Sequence, residues 1–266
     1  MIKLPIKRQT DYSVIESEIN SIRSCAGILD FYGSFINKYN ELDAKYKFTE
    51  YFDKNFLHAQ LENIFSMKFR PLFGMPFGIK DVFNTRVLPT TMGSEIWRGF
   101  KAGNNARIVD EIVDRGAIVF SKTTTAEFAV HYIDNNKTIN PYNSKHITGT
   151  SSAGSAVAVA CGALPIALGT QTAGSIIRPA SFCNIFGFKP SFGAIDRTGV
   201  LKTTDSLDTI GFLGSDIYGL RKTFESTFQK EIENNYYAKK YFESYRNYRS
   251  KKQFKIGIIS EQFSGY

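Results

Sequence analysis

The chain has 266 residues, of which 42% are hydrophobic and 22% charged, and its formal net charge is +8. This composition predicts one large globular domain or two small ones, and the charge alone indicates no specific partner. Three cysteines without a C-x-x-C exclude a disulfide framework and a zinc site, and the longest small-apolar run (155–169) is too short and interrupted to span a bilayer. We therefore expect a soluble, cytoplasmic protein that binds no metal and no cofactor.

The N-terminal quarter of the chain has apolar residues at helical spacing. Residues 11–66 therefore predict helices, and we assign 1–66 to an N-terminal helical region and 67–266 to an α/β core. The stretch "PLFGMPFGIKDVFNT" (71–85) predicts a turn followed by a short strand. The stretch "GAIVFSKTTTAEFAV" (116–130) predicts a buried strand, a polar turn and the start of a helix.

The middle of the chain continues to alternate between helix and strand. "SAGSAVAVACGALPIALG" predicts a short helix ended by Gly162 and then a strand over Leu164–Leu168. "NIFGFKPSFGAID" (184–196) predicts a strand and a turn. Together these elements predict an α/β fold with a mixed central sheet flanked by helices.

The C-terminal part is helical in pattern over 218–254 and rich in basic and aromatic residues. We predict that 236–255 is a surface helix, because its rings are spaced for packing and long basic side chains can lie over them. An RNA-contacting face that uses Lys239, Lys240, Arg246 and Arg249 is the alternative. A strand is predicted over Lys255–Ile259, and because the chain stops soon after it, we expect a fold that is incomplete at the C-terminal end.

Three segments share a glycine- and serine-rich turn beside an apolar run: "FGIKDVF" (77–83), "GTSSAGSAVAVA" (149–160) and "GTQTAGSIIRPA" (169–180). Glycine lets backbone N–H groups approach a ligand closely, and a following helix directs its positive end toward the same volume. Such turns bind phosphate or form an oxyanion hole. The chain has no G-x-x-x-x-G-K-[ST], so it contains no P-loop.

In order and spacing, the three segments resemble the amidase signature family, serine hydrolases with a Ser-Ser-Lys triad. The resemblance covers roughly residues 65–215, and the spacing of 24 between Ser151 and Ser175 agrees with it. It implies that Ser175 is the nucleophile, Ser151 the bridging serine and Lys80 the base, and that the peptide before Ser151 is cis. It also implies an oxyanion hole of backbone N–H groups from Thr172, Ala173, Gly174 and Ser175.

A lysine base fits the composition, because only three histidines are present and none lies in a context resembling a catalytic loop. A lysine removes a serine proton only when it is neutral, so its pKa must fall from about 10.4 toward 7–8. Burial among apolar neighbours produces this change. The sequence offers Phe77, Ile79, Val82 and Phe83 around Lys80 as that environment.

The chain departs from the family pattern at four positions. Gln171 stands where the family often has Asp, and Ile177 where it often has Arg; Thr150 and Ala173 replace glycines. Losing both members of an ion pair is nearly neutral, whereas losing one is costly. The A subunit of glutamyl/aspartyl-tRNA amidotransferase typically keeps both charges, so the sequence favours a stand-alone amidase.

The resemblance implies a small-molecule amide as the ligand of a stand-alone amidase, which would release a carboxylate and ammonia or an amine. We expect no specific nucleic acid and no membrane, and we leave a homodimer open. Two alternatives also stay open. The first is the amidotransferase A subunit, which would use the same triad on glutamine and pass ammonia to a partner. The second is an inactive truncated fragment of an amidase.

Overall fold

A computed structural model describes residues 10–130, 137–234, 240 and 243–244. In these residues the α-helices are α1 (Tyr12–Ser21), α2 (Cys25–Tyr46), α3 (Lys54–Glu62), α4 (Arg107–Asp114), α5 (Ala153–Ala160), α6 (Ile177–Phe182) and α7 (Ile217–Asn234). The strands are β1 (Thr49–Tyr51), β2 (Pro76–Lys80), β3 (Ile118–Thr123), β4 (Ile166–Gln171), β5 (Phe186–Phe188) and β6 (Thr209–Gly214). Short 3-10 helices cover Ile64–Met67, Glu95–Trp97 and Glu127–Ala129.

The strands form one mixed sheet in the order β1-β3-β2-β4-β6-β5. β2 runs parallel to both β3 and β4, whereas β1, β6 and β5 pair antiparallel with their neighbours. The predicted α/β fold with a mixed sheet is therefore confirmed. Because β2 and β4 are adjacent and parallel, their carboxyl ends meet at the same edge of the sheet.

Some predicted elements differ from those observed. Residues 11–66 are not helical throughout, because β1 lies between α2 and α3 and pairs with β3. β4 extends from Ile166 to Gln171, later than the predicted strand, and β6 was not predicted. The predicted helix near residue 127 is a single 3-10 turn in which Phe128 has a φ of +48°, outside the helical region. The domain assignment at residue 66 stays a prediction.

The N-terminal helices share the hydrophobic core with the sheet. On α2, Tyr32, Phe35 and Tyr39 pack around Phe120 of β3, with ring centroids 4.7 to 6.2 Å from that of Phe120. Aromatic clusters of this kind bury large apolar areas and prefer tilted or edge-to-face contacts. α2 therefore closes one face of the sheet next to β3.

The small residues of α5 bring this helix unusually close to the sheet. A Cβ placed on Gly154 would lie 2.3 Å from the backbone nitrogen of Thr124 and 2.5 Å from the carbonyl oxygen of Phe48. Gly154 N–H donates to the carbonyl of Thr124 at 3.0 Å. Glycine at this position therefore lets the start of α5 pack directly against the chain that follows β3.

Within the part of the chain that the structure describes, no helix is long and apolar enough to cross a membrane. The basic segment 236–255 lies outside the described residues except for 240, 243 and 244, and the predicted strand 255–259 lies entirely outside them. The surface helix, the alternative RNA face and this strand therefore stay predictions.

Candidate active site

Lys80 is the last residue of β2, and its side chain is fully buried. Its Nζ lies 2.8 Å from Ser151 Oγ and 2.8 Å from Thr170 Oγ1. Thr170 belongs to β4, the parallel neighbour of β2, so the adjacent strand ends bring these side chains together. The lysine therefore reaches two hydroxyl groups and, in its immediate contacts, no carboxylate.

Burial lowers the pKa of Lys80 to about 7, although the more distant charge of Asp208 acts in the opposite direction. The cause is the loss of hydration of the ammonium ion, which favours the neutral amine. Near neutral pH, a substantial fraction of Lys80 is consequently neutral. This is the property expected of a lysine that serves as a general base.

Ser151 lies in a loop that is fastened to α6. The peptide between Thr150 and Ser151 is cis, as the resemblance implied. Arg178 Nε donates to the carbonyl of Gly149 at 2.5 Å, and Arg178 Nη2 donates to that of Thr150 at 2.9 Å. Gly149 has a φ of +90°, and a Cβ there would lie 2.7 Å from Cα of Pro179, so only glycine fits.

The turn between β4 and α6 carries Ser175, whose side chain is 6% exposed. Gln171 fixes this turn: its Oε1 accepts from the backbone N–H groups of Ile176 and Ile177 at 2.9 Å each, and its Nε2 donates to the carbonyl of Ala173 at 3.0 Å. A neutral amide therefore satisfies the position where the family often has Asp. Ile177, at the position where the family often has Arg, is uncharged and 46% exposed. Both charges of the family's pair are therefore absent, and neither is left buried without its partner.

The turn also leaves donors available to a ligand. In the described residues, no hydrogen bond uses the backbone N–H groups of Thr172, Ala173, Gly174 or Ser175. Ala173 does not have a positive φ, so an alanine can replace the family's glycine here without backbone strain. The turn is thus compatible with an oxyanion hole.

Ser151 and Ser175 line one cleft together with Thr170 and Thr172. The remaining wall is formed by residues from the segment after β3, the loop before β6 and the start of β6: Ala129, Arg197, Val200, Leu201, Thr203, Asp208, Thr209 and Ile210. Lys80 lies beneath this cleft, in contact with Ser151 and Thr170. The structure therefore brings all three residues predicted for the triad to a single site.

The sequence of this chain places it in a known protein family. The chain matches the sequence model of the family described as Amidase over residues 31–265. This chain belongs to the amidase family.

Individual relatives of this amidase-family chain differ in function. It is 43% identical over 145 residues to the A subunit of glutamyl-tRNA(Gln) amidotransferase from Chloroflexus aggregans, a match covering 53% of this chain and 30% of the relative. The structure of a peptide amidase from Stenotrophomonas maltophilia superposes with a TM-score of 0.72 at 25% identity, covering 82% of this chain and 48% of that one. The structure of the A subunit of the glutamyl-tRNA(Gln) amidotransferase from Thermotoga maritima superposes with a TM-score of 0.66 at 26% identity. This match covers 79% of this chain and 46% of that one. The chain thus spans half or less of each of these relatives.

Sequence reasoning missed three polar residues around the site of this amidase-family chain: Thr170, Arg178 and Asp208. The sequence could have indicated Thr170 as a site residue, because it lies near the end of a buried strand beside the glycine-rich turn. It could also have indicated Arg178, a charged residue directly before Pro179 in the same motif. No feature of the sequence indicated Asp208, because it precedes β6, a strand that the sequence did not predict.

A second buried lysine lies beside the site. Lys122 of β3 forms an ion pair with Asp81, with Nζ 2.8 Å from Oδ1, and both side chains are fully buried. Lys122 also donates to the carbonyls of Phe83 and Pro89 and to the hydroxyl of Thr90. In this amidase-family chain Lys122 therefore anchors the loop after β2, whereas Lys80 has only hydroxyl partners.

Proposed function

We propose that this amidase-family chain hydrolyses carboxylic amides through an acyl-enzyme, with Ser175 as nucleophile, Ser151 as proton bridge and Lys80 as base. The observation that carries the proposal is the 2.8 Å contact between the buried Lys80 Nζ and Ser151 Oγ, in the cleft that Ser175 lines. A buried lysine with a lowered pKa, next to a serine, is an arrangement that activates a hydroxyl for attack.

The reaction begins with neutral Lys80. Its nitrogen accepts the proton of Ser151 while Ser151 accepts that of Ser175, and the Ser175 oxygen forms a bond to the amide carbonyl carbon. The tetrahedral intermediate collapses when the C–N bond breaks and the leaving nitrogen takes a proton back through Ser151. Water, deprotonated by the same two residues, then attacks the acyl-enzyme and releases the carboxylic acid.

The charge that develops on the carbonyl oxygen needs donors that are already in place. We assign this role to the backbone N–H groups of Thr172, Ala173, Gly174 and Ser175, which make no other hydrogen bond in the described residues. One donor of this kind contributes about 3–4 kcal/mol to transition-state stabilisation. Gln171 supports them, because it binds both sides of the turn.

Labelling with a fluorophosphonate probe tests the assignment. The wild-type chain should form a covalent adduct on Ser175, and Ser175→Ala should form none. Ser151→Ala should react about a thousandfold more slowly, because the proton bridge is lost. Ser181→Ala is the matched control: this serine is exposed on α6, and its replacement should leave labelling unchanged. Persistent labelling of the Ser175→Ala chain would assign the nucleophile to another residue.

A second candidate function is that of an amidotransferase A subunit, favoured by the 43% identity to such a protein from a glutamyl-tRNA(Gln) amidotransferase. It would use the same triad on glutamine and deliver ammonia to a partner protein. Gln171 and Ile177, in place of the charged pair typical of that protein, favour the stand-alone amidase. Co-purification with a tRNA-binding partner and glutamine-dependent amidation of charged tRNA would favour the amidotransferase; ammonia release from simple amides by the chain alone would favour the amidase.

A further inference from the structure

Asp208 is a nearly buried carboxylate in the wall of the candidate site, immediately before β6. Its Oδ1 accepts from the hydroxyl groups of Thr172, Thr203 and Thr204 at 2.6, 2.7 and 3.1 Å. Its Oδ2 accepts from the backbone N–H groups of Thr203 and Thr204 at 2.6 and 2.9 Å. Five donors therefore converge on one side chain, which leaves little capacity to bind a substrate.

One of these donors belongs to the turn that carries the nucleophile. Thr172 precedes Ser175 by three positions, and its hydroxyl group ties the turn to Asp208. The same hydroxyl lies 2.9 Å from Thr203 Oγ1. Asp208 therefore links the end of β4 to the loop before β6, in addition to the bonds by which Gln171 holds the turn.

We infer that Asp208 is a positioning residue of the candidate site: its carboxylate fixes the Thr172 side of the nucleophile turn and places a negative charge in the cleft beneath which Lys80 lies. The inference rests on the proposed function, because the roles of Ser175 as nucleophile and Lys80 as base are part of that proposal. Its geometry stands on the five hydrogen bonds and on the shared cleft.

The charge of Asp208 is stable over the working pH range. Burial raises its pKa, but the hydrogen bonds from Thr172, Thr204 and Thr203 outweigh this effect and lower the pKa to about 2. A nearby anion favours the ammonium form of Lys80 and so raises the pKa that burial lowers. Burial therefore has the larger effect on the pKa of Lys80, and the charge of Asp208 offsets part of it.

Other charges near Lys80 do not provide this effect. Asp81 and Lys122, on β2 and β3, form an ion pair with each other. Arg197 Nη1 lies 3.9 Å from Asp208 Oδ2, and its guanidinium donates to the backbone carbonyls of Thr204 and Asp205. On the α6 side, Arg178 donates to backbone carbonyls, and α5 carries no charged residue.

Two substitutions separate the charge from the hydrogen bond. Asp208→Asn keeps the shape, and its amide can direct oxygen to the two backbone N–H groups and nitrogen to the hydroxyls, which can rotate to accept. Thr172→Val keeps the charge and removes one hydroxyl donor. Asp205→Asn is the matched control, because this exposed acid lies in the same loop and its loss changes the net charge equally.

The experiment measures two quantities in the 266-residue chain. The first is the titration of Lys80 by NMR of ¹³C-labelled lysine, assigned with Lys80→Arg. The second is the pH dependence of fluorophosphonate labelling of Ser175. We expect Asp208→Asn to lower the pKa of Lys80 and move the acid limb of labelling to lower pH. Thr172→Val should slow labelling by about tenfold without moving that limb, because one hydrogen bond to a charged group is lost. Asp205→Asn should change neither quantity.

Each outcome decides the inference. An unchanged Lys80 titration in Asp208→Asn would overturn it, even if labelling slowed, because slowing alone is what a purely structural residue produces. An equal shift in Asp205→Asn would also overturn it. If the wild-type chain is not labelled at all, the proposed function fails, and the NMR titration still tests the effect of Asp208 on Lys80.

Discussion

Lys80 Nζ lies 2.8 Å from Ser151 Oγ, although the two residues are separated by 71 positions in the chain. The contact exists because β2 ends at Lys80 beside β4, while α5, which follows Ser151, packs on both strands. It is buried, so solvent does not compete for either group. A proton can consequently pass between them without an intervening water molecule.

The pH dependence of acylation should report the ionisation of Lys80. Burial lowers its pKa to about 7, and only the neutral amine can accept a proton. We therefore expect the labelling rate to rise with pH through about 7 and to level off above it. Rates measured between pH 5 and 9 check this, with Lys80→Met as the control that should be slow throughout. A rate that falls as pH rises would contradict a lysine base.

Removing the hydroxyl of Thr170 should slow acylation. Thr170→Val keeps the shape of the side chain but takes away one of the two hydroxyl partners of Lys80. We expect labelling to slow about 3- to 10-fold, the range expected for one neutral hydrogen bond. Thr170→Ser restores the hydroxyl and should recover most of the rate. Equal rates for the Val and Ser variants would mean that this contact does not orient the lysine.

The turn that carries Ser175 should depend on Gln171 for its stability. Gln171→Leu would leave the backbone N–H groups of Ile176 and Ile177 without their acceptor. A loss of about 1–3 kcal/mol in the free energy of unfolding is expected, because buried unsatisfied donors carry that cost. Urea denaturation measures it. The half-exposed Ile177 provides the control, since Ile177→Ala should change the value by about 0.5 kcal/mol or less. Similar losses in both variants would argue against a role of Gln171 in holding the turn.

The buried ion pair beside the site should show strong coupling. Lys122→Met leaves the carboxylate of Asp81 in the interior without its cation, and we expect a loss of about 3–5 kcal/mol in unfolding free energy. The double variant Asp81→Asn/Lys122→Met removes both charges and should recover much of that loss. Denaturation of the two single variants and the double variant completes the cycle. Strictly additive losses would contradict the coupling.

The site was more predictable than the strands around it. Lys80 ends a buried strand, and Ser151 and Ser175 lie in glycine- and serine-rich turns. The order and spacing of these segments carry the family resemblance from which the three roles were predicted, and they can be read without knowledge of the fold. Asp208 reaches the site only through the pairing of β6 with β4, an interaction between distant segments. Its role therefore could not be predicted from neighbouring residues.

Two strands lacked the pattern by which strands are recognised. All six residues of β6 are buried, so "TIGFLG" shows no alternation between apolar and polar positions. β1 has only three residues, and its place is determined by its antiparallel pairing with β3. In both cases the strand is specified by its partners, and its own sequence is too uniform or too short to indicate it.

The position of β6 between β4 and β5 has a consequence for the order of assembly. In the register of the sheet, Thr209 pairs with Gln171, which brings Asp208 to the turn after β4. A ribosome releases the segments bearing Lys80, Ser151 and Ser175 before it releases β6. A nascent chain can therefore form the parallel pair β2–β4 while the nucleophile turn still lacks one of its two tethers. β5 pairs only with β6 in the described sheet, so we expect the pairing of β5 and the second tether of the turn to form in the same step.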